Sequence, residues 1–78
     1  MEQMQTDSHA VAHSDPEISG GTPVFRGTRV PVQSLFDYLE GGETLGQFLE
    51  QFPSVSKEQA LAALGLARDF ILARARSA

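Results

Sequence analysis

The sequence predicts a small, mostly α-helical module, homeodomain-like or winged-helix-like, in which three helices follow an N-terminal β hairpin. Three observations predict it. Residues 15–32 carry three prolines, three glycines and two arginines, more backbone punctuation than a plain helix or linker needs. Three segments with apolar residues at helical spacing follow. Two Ser/Thr-x-x-Gln sequences, from Thr44 to Gln47 and from Ser56 to Gln59, mark helix starts.

Each element can be justified in order. Residues 1–14 are polar and aperiodic, which predicts a disordered acidic tail and leaves residues 15–78 as one folded domain. Val24-Phe25 and Thr28-Arg29-Val30 are short β-prone pieces separated by Arg26-Gly27, the pattern of a tight hairpin with Gly27 in its turn. The residues before Pro23 and Pro31 are biased towards extended backbone. Pro31 opens a first helix running through Leu39, with Val32, Leu35, Phe36 and Leu39 on one face. Gly41-Gly42 ends it. Thr44 caps a second helix whose Leu45, Phe48, Leu49 and Phe52 form an apolar stripe, and Pro53 stops it. Ser56 caps a third helix extending to about Arg74.

The third helix has two apolar faces at about 100° per residue. Leu61, Leu64, Ile71 and Leu72 form one; Ala63, Leu66, Phe70 and Ala73 form the other. A chain of 78 residues buries only about 60% of its unfolded surface. One face therefore packs on the first two helices and the other is expected to meet a second chain. Ala63, Leu66, Phe70, Ala73 and Arg74 are the expected interface residues, and a homodimer is the simplest assembly. The alternative is a central helix covered on both sides by its own domain.

Composition narrows the function classes. The chain has no cysteine, which removes disulfides and thiolate metal sites and fits a reducing cytoplasm. No apolar run approaches the ~18 residues of a membrane span, and no basic residue precedes Arg26 to make a signal peptide. The net charge of −4 sits in residues 1–17, which hold four acidic and no basic side chains; residues 18–78 balance at zero. A nucleic-acid binder normally shows a basic face, so this balance counts against a simple repressor.

No catalytic constellation stands out. The glycine pairs lack the Gly-Lys-Ser/Thr of a phosphate loop, and no serine has a nearby base suited to a triad. His9 and His13 are spaced for one helix face but lack a third metal ligand. A non-enzymatic protein without cofactor or metal is expected. If the second and third helices act as a helix-turn-helix on DNA, Lys57 and Gln59 are the candidate base readers. Arg26 and Arg29, with Thr28 between them, are candidate phosphate contacts on the turn. The alternative for both arginines is structural, as partners of Asp15, Glu17 or Asp37, or as clamps between hairpin and first helix.

The punctuated stretch Pro16-Glu17-Ile18-x-Gly20-Gly21-x-Pro23-Val24-x-x-Gly27-Thr28-Arg29-Val30-Pro31-Val32 resembles the signature of domain-of-unknown-function family 433. Glu40-Gly41-Gly42-Glu43-Thr44-Leu45 and Phe52-Pro53-x-Val55-Ser56-x-Glu58-x-Ala60 are similar to the same family's pattern, so the resemblance covers roughly residues 13 to 72. It implies a helix-turn-helix-like fold and a type II antitoxin of the VapB-like kind. Such a protein neutralises a PIN-like toxin encoded beside it, and regulates transcription of its own operon by binding operator DNA. A protein-interaction or assembly module without DNA binding is the alternative.

Overall fold

The computed structural model describes residues 11–17 and 19–77, with the side chains of Ser19 and Ser77 left aside. The fold is mostly helical. Strand β1 (Ala12–His13) is followed by a 3-10 turn (Ser19–Gly21) and strand β2 (Val24–Phe25). Helices α1 (Val32–Glu40), α2 (Leu45–Gln51) and α3 (Lys57–Ser77) complete it.

The expected turn forms, but the strand pairing differs from the expected one. Gly27 has φ +81, the left-handed value that position i+2 of a type II turn requires. The Thr28 amide donates to the Phe25 carbonyl at 2.9 Å and closes that turn. The strand paired with β2, however, is β1, antiparallel, with Ala12 opposite Phe25 and His13 opposite Val24. Residues 28–30 return alongside β2 without becoming a strand. The Phe25 amide reaches the Val30 carbonyl at 2.9 Å, and a single bridge joins Val24 to Pro31. Two facts stop the ladder there: Val30's own amide is spent on the Thr28 hydroxyl at 3.0 Å, and Pro31 has no amide to give.

The same pairing moves the domain boundary. Val11 is buried in the core, its carbonyl accepts from the Arg26 amide at 2.8 Å, and β1 follows it directly. The folded unit thus begins before residue 14, where the tail was expected to end. Residues 1–10 lie outside the described part, and with them most of that expected tail and His9.

The helices follow their expected bounds closely. The α1 C-terminus is closed by the Glu43 amide on the Tyr38 carbonyl at 2.9 Å and the Gly42 amide on the Leu39 carbonyl at 3.1 Å. This is a Schellman motif with Gly42 at φ +93 in the left-handed position. Thr44 and Gln47 make a reciprocal capping box on α2, at 3.0 and 2.7 Å. Phe48, fully buried, is the hub of the core. Its ring lies 5.0 Å from Phe52, 5.6 Å from Tyr38 and 6.2 Å from Phe25, centroid to centroid. Leu35 of α1, Val55, Ala60 and Ala63 complete the buried cluster.

Candidate functional site

Two features on this scaffold carry the candidate residues: the turn around Gly27 and the long helix α3. The turn presents Arg26 and Arg29 at the surface, both exposed. It is held from beneath by Thr28, whose hydroxyl donates to the Phe25 carbonyl at 2.8 Å while accepting from the Val30 amide. Thr28 is therefore half-buried and engaged in holding the turn.

Gln59 has a similar outcome. Its side-chain carbonyl accepts from the Ser56 amide at 3.0 Å, and its backbone amide donates to the Ser56 hydroxyl oxygen at 3.0 Å, a second capping box. Its side-chain nitrogen then donates to the Arg26 carbonyl at 2.9 Å, thirty-three residues away in sequence. Gln59 is thus a strut between the turn and the start of α3, and both ends of its amide are in use. A base-reading role for Gln59 would have to break that strut. The strut has one functional consequence. It brings the Arg26 turn beside the first turn of α3, where Lys57 is exposed. Glu58 is exposed next to Lys57, so the surface is mixed in charge rather than basic.

Below the turn lies an apolar cleft of about 600 Å³ lined by His13, Thr28, Arg29, Val30, Pro31 and Phe52, among others. The Nδ1 atom of His13, one of the lining residues, is buried without a hydrogen-bond partner among the described residues. Arg29 makes no ion pair or hydrogen bond among the described residues. The expected alternative for it, a clamp to Asp15, Glu17 or Asp37, is therefore not formed among those residues.

The second feature is α3, whose 21 residues make a helix about 31 Å long. Its first half packs on the body. Ala60 and Ala63 are buried, and Leu64 and Leu66 are half-buried against the core. From Arg68 to Arg76 every residue is exposed. Phe70 and Ile71 are each 62% exposed, Leu61 47% and Leu72 42%. These four are the exposed large hydrophobics among the described residues.

Of the expected interface set, Ala63 is corrected: it closes the domain's own core. Leu66 is largely committed to the same packing. Phe70, Ala73 and Arg74 are on the surface. The Arg74 guanidinium lies 5.2 Å from the Phe70 ring centroid, an exposed cation–π contact worth about 0.5–1 kcal/mol. Composition and periodicity revealed that α3 had too much apolar surface. They could not reveal that the body ends near residue 67, because that depends on how far α1 and α2 reach along α3.

No helix among the described residues is long and apolar enough to cross a membrane. Three comparisons bear on the chain. The sequence model described as protein of unknown function (DUF433) matches residues 13–67, more than half of the chain. An uncharacterised protein of Sinorhizobium fredii, y4eO, is 43% identical over 49 residues, which make up 63% of this chain and 22% of that protein. The match thus spans about a fifth of that relative's length. The crystal structure of a DUF433 member protein from Anabaena variabilis superposes with a TM-score of 0.67 at 24% identity. That superposition covers 90% of this chain and 69% of the other, and shows a shared fold.

Proposed function

The chain belongs to the DUF433 family, and from that premise we propose that it is a non-catalytic, antitoxin-type binding module. Its partner is a toxin protein of the PIN-like kind, and the far half of α3 is the surface that receives it. The observation that carries this reading is the exposure of Phe70 and Ile71, 62% each, on a helix whose first half is packed. At about 100° per residue, Phe70, Ile71 and Arg74 continue the line that Ala60, Ala63 and Leu64 present to the core. The core-facing stripe therefore runs on past the end of the body, as a helix-in-groove anchor does. Arg74, Arg76 and Arg68 against Asp69 give residues 68–78 a net charge of +2, while residues 1–67 carry −6. A partner groove with an apolar floor and acidic rim fits that segment.

A second activity, operator binding, is supported by one feature: the Gln59 strut that sets the Arg26–Arg29 turn beside Lys57. Glu58 and the overall −4 charge weigh against it, so DNA contact is secondary to protein binding in this proposal.

The test is co-expression of the chain with the product of the adjacent gene. The chain should rescue growth and co-purify with that product. Removal of residues 68–78 should abolish both while leaving the core, and hence the cooperative unfolding transition, in place. A neighbour that is harmless alone, or a pair that never co-purifies, sinks the antitoxin reading in favour of an assembly module.

A further inference from the structure

We propose that α3 pairs antiparallel with α3 of a second copy of this chain, along a line formed by Leu61, Gly65, Arg68 and Leu72. This goes beyond the toxin-binding reading, because it uses a different side of the helix. Spacings of 4, 3 and 4 residues keep these four on one face, well round the helix from the Phe70–Arg74 side.

Three observations converge on that line. Leu61 and Leu72 are both exposed large apolar residues, one on the packed half of α3 and one on the bare half. Both ends of the line therefore face away from the described body, with the half-buried Gly65 between them. Gly65 sits between them, in the interior of a 21-residue helix, where glycine costs roughly 0.5–1 kcal/mol relative to alanine. Its own fold does not ask for it. A Cβ at that position would meet only the end of the Arg68 side chain, at an ordinary 3.7 Å. A half-buried glycine at which the chain's own packing leaves room for a side chain, set between exposed Leu61 and exposed Arg68 and Leu72, is accounted for by close approach of a second backbone, since interaxial distance depends on the side chains at the crossing.

Charge fixes the partner and its direction. Glu58 and Arg76 are eighteen residues apart, five turns at 3.6 residues per turn, so they lie on one line at opposite ends of the helix. Both are exposed. An antiparallel copy centred between residues 66 and 67 places Leu61 against Leu72, Gly65 against Arg68, and each Glu58 beside the other copy's Arg76. A parallel copy would instead oppose like charges at both ends. Arg68, near the centre, is already paired with Asp69 at 3.0 Å and adds no unbalanced charge. One helix pair of this length is a small interface, in the class of weak association. The pairing leaves Phe70 and Arg74 open to another protein.

Sedimentation velocity of the full chain across a micromolar concentration series tests the proposal, with circular dichroism to confirm folding. The wild type should reach a dimer at high micromolar concentration. Gly65→Leu should weaken association by about tenfold or more, the factor carried by 1.4 kcal/mol, with helicity unchanged or raised. Glu58→Arg and Arg76→Glu should each weaken it, and the double variant should recover wild-type association. Phe70→Asp should leave the dimer intact. A wild type that stays monomeric overturns the proposal and leaves the line to a different protein. A dimer broken by Phe70→Asp but indifferent to Gly65→Leu and to the charge exchange overturns it as well.

Discussion

Between Pro23 and Val32 the chain is tied to β1 on one side and to α3 on another, whereas beyond Ala67 α3 is tied to its own neighbours in the helix. The Arg26 amide bonds Val11 and the Arg26 carbonyl receives Gln59. The Val32 amide reaches back to the Pro23 carbonyl at 3.0 Å. Two side-chain contacts of the far half of α3, Arg68 with Asp69 and Arg74 over Phe70, join residues one and four apart. Hydrogen bonds fix the backbone of the turn, so its arginines extend from a set base. The far half of α3 is ordered by helix formation and presents apolar surface that the described residues leave exposed. A binding surface can thus come from over-determination or from surplus. Here the surplus is the stronger pointer, because no packing among the described residues uses it.

The largest break in that contrast comes from truncating one aromatic on each side of residue 67. Phe48→Ala removes the hub of the ring cluster, and should cost about 3–5 kcal/mol, enough to unfold much of a small domain. Phe70→Ala, on the bare half, should move stability by no more than about 0.5 kcal/mol. Urea denaturation of the two variants measures the difference. Comparable losses would mean that the far half of α3 is packed in solution.

A middle-sized effect tests the ties of the turn. Gln59→Ala deletes half of a capping box and the bond to the Arg26 carbonyl, and should cost about 1–2 kcal/mol. Thr28→Val keeps the side-chain shape but strands the Val30 amide, with a cost of about 1–3 kcal/mol. Hydrogen exchange should then show faster exchange at Val30 in Thr28→Val. A Gln59→Ala protein as stable as wild type would show that the strut does not hold the turn to α3.

How far the sequence could be read follows the same division. Local signals were fully legible: both capping boxes, the Gly41-Gly42 stop, the Pro53 break and the left-handed Gly27 each act within a few residues. The partner of β2 was not. Its identity depends on β1, two residues in a segment whose polar composition matches a tail, and β pairing at that range has no periodic mark. The roles of Thr28 and Gln59 were hidden for a related reason. Both carry side chains able to bind outward or inward, and only the positions of the Phe25 and Arg26 carbonyls decide. The apolar excess of α3 was visible as two faces, but which of Ala63 and Leu61 turns to the core depends on the packing angle of α3 against α1 and α2.

The smallest stability effect falls on Arg29, and it decides what the turn is for. Its side chain is exposed and unpaired among the described residues, so Arg29→Ala should change stability by less than about 0.5 kcal/mol. If the turn is a phosphate contact, the change must appear in salt dependence instead. A dimer offering Arg26 and Arg29 twice would neutralise about four phosphates, giving a slope of log affinity against log salt near −3.6. Arg29→Ala removes one contact per copy and should flatten that slope to about −1.8. Lys57→Ala should alter preference among sequences if the start of α3 enters a groove. The measurement is a salt-titrated binding assay on the protein's own promoter, with and without the toxin. A wild type that prefers its promoter no more than random duplex in either state removes DNA from the account. The over-determined turn would then serve the fold, and the surplus on α3 would be the functional surface that remains.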